Sequence, residues 1–175
     1  AVAADRRQWV ETGQIGRSLK AALQSPRYIR CYQPWGDLYL QIENLGDVEN
    51  YRRELDLDRA VATTRFTSNG VTYTREVFVS AVDDVVIVRQ SASKSGNLSF
   101  DIRLNRPDDF TTQAKGNDSL VMFGQAKQKE GKNPGVKWSS MLKANVEGGS
   151  IRAEGNQLKV TNADTDTLFL SCNTD

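Results

Sequence analysis

The stretch FTSNGVTYTREVFVS, residues 66–80, carries the pattern that decides the fold. Two runs rich in β-branched and aromatic residues flank Asn69-Gly70. An Asn-Gly pair between such runs is the strongest short-range signal for a β-hairpin, because both positions tolerate positive φ. In the second run the odd-numbered residues alternate with more polar even-numbered ones. The sequence therefore predicts two antiparallel strands, each with one face turned inward.

The same period of two continues on both sides of this hairpin. Leucines, Phe and Ile recur at every second position over residues 38–42 and 98–104, and a long strand with one polar face is predicted over residues 136–146. Residues 84–93 are apolar enough to predict a strand buried on both faces, and residues 166–172 predict another buried run. About nine or ten strands, with turn signals roughly every 8 to 15 residues, indicate an all-β antiparallel sandwich.

Helical periodicity is confined to the N-terminal part, residues 4–24, where Gly13 and Gly16 each weaken a helix by roughly 1 kcal/mol. The chain is therefore predicted to be a single domain spanning residues 1–175. A short helical segment, residues 1–31, leads into the β-sandwich of residues 32–175, and the polar stretch 106–135 is predicted to be mostly surface loop.

Composition excludes several classes of function. The 23 Lys and Arg balance the 22 Asp and Glu, and their interspersion gives no basic face for nucleic acid. No apolar run approaches the roughly 20 residues of a membrane-spanning helix. The chain has no histidine, which excludes Ser-His-Asp and Cys-His catalysis and His-ligated zinc within it. Cys31 and Cys172 have no zinc or redox spacing and are expected to be reduced, so we expect no metal and no cofactor.

The segment YRRELDLD, residues 51–58, could suggest a glycosidase, because such enzymes pair two carboxylates as acid and base. Alternation instead places Glu54, Asp56 and Asp58 together on one exposed strand face, where like charges are usually solvated. We therefore assign no catalytic residue to this chain.

Two arginines fall on the apolar faces of their strands: Arg53 lies with Leu55, and Arg75 lies with Tyr73 and Val77. A guanidinium that faces a core needs a carboxylate or carbonyl partner. Both arginines are thus predicted to serve structure, and ligand binding is the alternative. Asn69 and Gly70 are likewise structural, as the turn of the hairpin.

Aromatic residues gather in YQPWGDLYL, residues 32–40. A proline fixes φ and a glycine permits a turn, so the start of this stretch predicts a rigid corner before the first long strand. The corner is assigned to Tyr32, Pro34, Trp35 and Gly36. Tyr39 follows on the polar face of that strand and is the candidate for stacking on a sugar.

The strings YQPWGDLYLQIE and NYRRELDLDRAVATTRFTSNGVTYTREVFVS, together with GVKWSSMLKANV and DTLFLSCNTD further on, resemble the N-terminal β-sandwich domain of glycoside hydrolase family 95, the α-L-fucosidases. The resemblance covers residues 32–175. It implies that the chain is part of a larger bacterial enzyme, secreted or periplasmic. In that family a downstream helical barrel hydrolyses the fucosyl bond with inversion. The barrel would be the partner of this domain, and fucosylated glycans would be met through the full-length enzyme.

Two other functions stay open at this point. The chain could be an independent carbohydrate-binding module, or the same domain of a related enzyme such as an α-L-galactosidase. A domain that supports a barrel should expose an apolar patch where the barrel docks, whereas a binding module should present a concave aromatic platform with polar groups at its rim.

Overall fold

The computed structural model describes Thr12, residues 34–127 and residues 134–175. Apart from Thr12, the predicted helix of residues 4–24 lies outside the described residues, as do Cys31, Tyr32 and residues 128–133. The prediction that residues 106–135 are mostly surface loop is wrong, because Phe110–Ala114 and Ser119–Lys127 are strands. The chain divides between Pro34 and Trp35 into two units, and the second unit, residues 35–175, is the one whose fold is given below.

Antiparallel strands make up almost all of this second unit. In chain order they are β1 (Asp37–Ile42), β2 (Glu49–Asp56), β3 (Val61–Ser68), β4 (Val71–Ser80), β5 (Val85–Ala92), β6 (Leu98–Asn105), β7 (Phe110–Ala114), β8 (Ser119–Lys127), β9 (Pro134–Glu147), β10 (Ser150–Glu154), β11 (Gln157–Ala163) and β12 (Thr165–Thr174).

The strands form two sheets of unequal width. One has four strands in the order β1-β6-β11-β10, and the other has eight in the order β2-β3-β4-β5-β12-β9-β8-β7. Their inner faces pack together as a sandwich, with a core drawn from both sheets. The predicted all-β antiparallel sandwich is therefore confirmed.

Strand β6 supplies the centre of the core from the narrow sheet. Its inward residues occupy every second position, as predicted, and none is more than 5% exposed: Leu98, Phe100, Ile102 and Leu104. The inner face of the wide sheet contributes Leu120, Leu142 and Leu168, each 0% exposed. Since fully burying such a side chain contributes about 1.5–3 kcal/mol, this contact between the sheets is the main source of stability.

The predicted hairpin at Asn69-Gly70 is present, and a second hairpin lies at Gly155. Strands β3 and β4 pair from Ser68↔Val71 outward around Asn69-Gly70, whose φ values of 51° and 69° are those of a tight hairpin turn. Strands β10 and β11 pair around Gly155, with φ of 64°. The turn after β5 does not form a hairpin. It takes the chain from the wide sheet to the narrow one, because β5 and β6 belong to different sheets.

Two predictions of burial are wrong. Strand β5 is buried only at Val88 and Gln90, and Arg89 between them is exposed. In β12 the run of residues 166–172 is buried at Asp166 and Leu168, whereas Phe169 is 40% exposed. Both strands lie in the middle of the wide sheet, but only one face of that sheet is covered by the narrow one.

Strand β2 departs most from its prediction. Its residues were expected to alternate between core and solvent, yet all eight are exposed, and Leu55 is 61% exposed. The alternation itself is present in β2. Leu55 pairs with Ala62, and Ala62 pairs with Val77, so Leu55 lies on the inner face of the sheet. The cause is sheet width: four strands cannot cover eight, and the inner face at β2 has no strand packed over it among the described residues.

Candidate functional site

A row of polar side chains crosses the inner face of the wide sheet and is called the polar row below. Register pairs place its members directly opposite one another on five adjacent strands: Arg53, Thr64, Arg75, Gln90 and Asp166. Exposure falls along the row, from an exposed Arg53 through a half-buried Arg75 to Gln90 at 2% and Asp166 at 0%. The row therefore leads from solvent into the core.

Hydrogen bonds connect the buried half of the polar row. Arg75 Nε donates to Gln90 Oε1 over 2.8 Å, and Gln90 Nε2 donates to Asp166 Oδ1 over 3.1 Å. The second carboxyl oxygen of Asp166, Oδ2, is buried and has no hydrogen-bond partner among the described residues. The Gln90 amide is thus the link that orients a buried acid toward a half-buried cation.

Burial dominates the electrostatics of this group. It raises the pKa of Asp166 to about 7, although the Gln90 hydrogen bond and the positive charge of Arg75 both act to lower it. Burial likewise lowers the pKa of Arg75, against the attraction of Asp166. A carboxyl group with a pKa near neutrality is what a general acid requires. Asp166 faces packed side chains, however, and no second acid accompanies it in the polar row.

The two predicted structural arginines have different surroundings. Arg75 has the carbonyl partner that the prediction required, the buried side-chain oxygen of Gln90, and Asp166 follows as the next member of that hydrogen-bonded chain. Arg53 was predicted to face the core, and that placement is wrong because the side chain is exposed on the uncovered end of the sheet. The structural role given to Arg53 thus has no buried contact to support it among the described residues.

The carboxylates of β2 and its following turn have local partners. Glu54 forms an exposed ion pair with Arg52, at 2.6 Å. Asp56 Oδ1 accepts hydrogen bonds from the backbone N–H groups of Asp58 and Arg59, at 3.0 Å each, and so closes the turn into β3. These contacts agree with the interpretation of the segment as a solvated strand face and turn.

The predicted corner is built around tryptophan. The Trp35 ring meets Trp138 edge to face, with centroids 5.8 Å apart, and its indole N–H donates to Ser140 Oγ. The guanidinium of Arg106, itself 7% exposed, lies 4.6 Å from the centre of the Trp138 ring, which is cation–π geometry. Trp35 thereby fastens the beginning of β1 to β9 in the opposite sheet.

Gly36 fits this corner because it lacks a side chain. Its φ is +151°, and a Cβ at this position would come within 2.8 Å of the Asn105 carbonyl oxygen and of Met122 Cε. The preceding Pro34 is exposed. Because a Cβ at residue 36 would collide with Asn105 and Met122, only glycine allows the backbone to pass this close to β6 and β8.

Tyr39, the candidate sugar-stacking residue, is 47% exposed on the outer face of the narrow sheet. It lines an open cleft of about 390 Å³, whose other walls are Arg103, Leu104, Asn105, Asn156 and Gln157. We call this feature the Tyr39 cleft. The sequence predicted the exposure of the ring but not the amides around it, because Asn156 and Gln157 come from a hairpin more than a hundred residues away.

The outer face of the wide sheet carries an apolar patch that sequence reasoning missed. Register pairs join Phe78 to Ile87 and Ile87 to Phe169, while Met141 and Phe123 extend the same face across β9 and β8. Phe78, Phe169, Met141 and Phe123 are each 36–41% exposed. These five residues, called the outer band, span five adjacent strands, β4, β5, β12, β9 and β8. Exposed apolar surface of this continuity usually marks an interaction site.

Other kinds of site receive no support from the described part of the chain. No group of three or more Cys, Asp or Glu there is placed to hold a metal ion. No helix in that part is long and apolar enough to cross a membrane. Cys172 is a free thiol with Sγ 3.7 Å from Ser140 Oγ, and its pKa is raised by burial.

Comparison with known proteins agrees with this architecture. "Alpha-L-fucosidase 2" of Arabidopsis thaliana is 31% identical over 163 residues, and "Probable alpha-fucosidase A" of Aspergillus niger is 28% identical over 120. These matches take in 80% and 68% of this chain but only 19% and 15% of the two relatives. A solved structure assigned as a kojibiose phosphorylase from the human microbiome superposes with a TM-score of 0.56 at 12% identity, over 79% of this chain and 22% of that one. This superposition shows that the two proteins share a fold over the matched region.

The family comparison covers nearly the whole chain. The model described as "Glycosyl hydrolase family 65, N-terminal domain" matches residues 4–175. The resemblance to the N-terminal sandwich of α-L-fucosidases is confirmed, although the matching family model has the number 65 where the sequence motifs indicated 95. With its two-sheet sandwich, its fucosidase-named relatives and this match, the chain belongs to the glycosyl hydrolase family 65 N-terminal domain family.

Proposed function

We propose that this chain is the non-catalytic N-terminal domain of an inverting α-L-fucosidase of the family 95 type, and that it supports a catalytic domain located downstream in the same polypeptide. The single observation that carries the proposal is the family match over residues 4–175 to an N-terminal glycosidase domain. The names of the plant and fungal relatives support the fucosidase assignment. Secretion and a bacterial source remain predictions.

The outer band gives this support function a physical basis. The fucosidase relatives share only 19% and 15% of their own length with this chain, so most of each relative lies outside the sandwich. Interfaces between domains of one chain bury about 600–1,500 Å². The outer band offers apolar side chains on five strands, bordered by Lys143, Arg89 and Glu76 on the same face. We propose that it is the docking surface for the catalytic domain.

The first prediction concerns activity. The 175-residue chain alone should release no 4-nitrophenol from 4-nitrophenyl α-L-fucoside, because its carboxylates on β2 are engaged locally and Asp166 lacks a partner acid. A heat-killed sample is the control, and turnover that survives repurification would contradict the proposal.

The same assay on the complete polypeptide tests the finer assignment. We expect hydrolysis of the α-L-fucoside, and an inverting enzyme must release β-L-fucose first, which proton NMR resolves before mutarotation. Release of α-L-fucose, or a preference for the corresponding α-L-galactoside, would contradict the proposed reaction while leaving the domain assignment intact.

The second prediction concerns docking. In the complete polypeptide, Phe169→Asp should weaken the coupling between the two domains by about 2 kcal/mol, since it removes an aromatic contact and puts a carboxylate that must be desolvated into an apolar interface. Calorimetry should then show two unfolding transitions where the parent shows one coupled transition.

Tyr51→Asp is the matched control, because Tyr51 is a 58% exposed aromatic on β2, at the far edge of the same sheet. It should leave the coupled transition unchanged. If Phe169→Asp and Tyr51→Asp behave alike, the outer band is not the docking surface.

A further inference from the structure

The Tyr39 cleft is built by three separate parts of the narrow sheet. Tyr39 on β1 lies directly opposite Arg103 on β6, and Asn105 follows Arg103 on the same face of that strand. Asn156 and Gln157 come from the β10–β11 hairpin and close the other side. The cleft therefore depends on the folded sheet, and its polar groups converge on one space beside an exposed aromatic ring.

We propose that the Tyr39 cleft binds one unit of a neutral saccharide. The ring of Tyr39 offers an apolar face to the C–H groups of a sugar. The amides of Asn105, Asn156 and Gln157 each carry both donors and an acceptor, which suits hydroxyl groups that donate and accept at once. An aromatic wall with a few converging polar groups is the usual composition of a small-ligand site.

Arg103 is held in position beside the ring. Its Nη2 donates to Gln41 Oε1 over 2.6 Å, and Gln41 lies two residues after Tyr39, the register partner of Arg103, on the same face of β1. This bond uses one edge of the planar guanidinium and fixes its orientation without supplying it with a carboxylate. The remaining donors of the fork can then serve a ligand hydroxyl, because a guanidinium presents several N–H groups in a fixed geometry.

The charges around the cleft favour a neutral ligand over an anion. Arg103 is the one cation among the six residues that line it, and Asp37 lies on the same face directly opposite Asn105. Another cation of the narrow sheet, Lys159, forms an ion pair with Glu43 and lies 3.9 Å from Asp101. A phosphate or uronate would meet little net positive charge here.

The size of the cleft is sufficient for a single sugar unit. A volume of about 390 Å³ is near the lower end of the roughly 300–1,000 Å³ found for small-molecule sites. One exposed ring can stack on one sugar, so we expect weak binding, with Kd on the order of 1 mM.

The test is a titration of the uniformly ¹⁵N-labelled 175-residue chain, followed by amide chemical shifts. The probes are methyl α-L-fucopyranoside, methyl α-D-glucopyranoside and sodium D-glucuronate. We expect at least one of the neutral glycosides to give saturable shifts centred on residues 39, 103–105 and 156–157. Tyr39→Ala should weaken this response about tenfold, because stacking and the burial of the ring face are both lost, whereas Tyr39→Phe should keep it.

Tyr51→Ala is the matched control, since it removes an exposed tyrosine from the other sheet. It should leave the titration unchanged, and far-UV circular dichroism should show that every variant keeps its fold. The proposal is overturned by a lack of saturable shifts with both neutral glycosides, by a response to glucuronate alone, or by binding that Tyr39→Ala leaves intact. Because the outer band is on the other sheet, these outcomes are independent of the docking test.

Discussion

Replacing Arg75 by Met is expected to destabilise the domain by about 2 kcal/mol at about pH 8, since it removes the hydrogen bond to Gln90 and the positive charge that favours the ionised form of Asp166. Arg75 Nε donates to Gln90, which in turn donates to Asp166. At that pH, Asp166 with its pKa of about 7 is mostly ionised. Without the nearby cation the Asp166 carboxyl of the variant must stay ionised and uncompensated or bind a proton, and a pKa of about 7 limits this part of the cost to about 1.4 kcal/mol at about pH 8. Urea denaturation monitored by tryptophan fluorescence measures the change.

The cost should shrink at lower pH. At about pH 5 the Asp166 carboxyl is protonated in the folded state, so Arg75→Met then loses mainly the hydrogen bond to Gln90, worth about 1 kcal/mol. Arg53→Met is the matched control, because Arg53 lies in the same polar row but is exposed. It should change stability by less than about 0.5 kcal/mol at either pH. Equal effects of the two substitutions would show that burial does not set the role of Arg75.

The second large effect is a fall in the stability of the parent chain as pH rises. Asp166 has a pKa of about 7 in the folded state against an ordinary value of 3.8, so the folded state binds more protons than the unfolded state between these values. Stability is therefore greatest below the unfolded pKa and is lost as pH rises through the folded pKa. The loss between about pH 5 and pH 8 should be about 2–3 kcal/mol.

This pH range isolates Asp166 unusually well. The chain contains no histidine. The pKa of Asp118 is lowered from 3.8, so it lies below this pH range, and the pKa of Lys159 is raised from 10.5, so it lies above the range. Asp166→Asn keeps an oxygen that can accept from Gln90 Nε2 but cannot ionise. Its free energy of unfolding should be nearly flat from about pH 5 to pH 8. A variant that retains the slope of the parent would assign the pH dependence to another group.

Local pattern predicted a large part of the fold. Asn69-Gly70 predicted the β3–β4 hairpin, because tight turns require residues that accept positive φ and such residues are visible in the sequence. Alternation also placed Tyr73 inward, where it is 9% exposed and stacked on Phe66, and Tyr39 outward. Both outcomes depend only on strand parity, which a short window of sequence contains.

What the sequence did not reveal depends on how strands are arranged in the sheets. Arg53 and Arg75 have the same parity and lie in the same polar row, but only Arg75 lies under the narrow sheet. That difference follows from the order and number of strands, which no local pattern encodes. The outer band was missed for the same reason, since Phe78, Phe169 and Phe123 come from three distant segments. Asp166 was included in a buried run, but its link to Arg75 requires β5 to lie between their strands.

Strand β2 also matters for how the protein avoids self-association. Among the described strands it is an edge of the wide sheet, and an edge presents backbone N–H and C=O groups to which another chain could add a strand. Its sequence, ENYRRELD, carries charges of both signs at five of eight positions, and its pairing with β3 is irregular between Glu49 and Arg52. A second β2 aligned alongside would have to desolvate these charges and follow the irregular backbone. The exposed strand that contributes little to the core thus discourages the growth of one sheet into an intermolecular one.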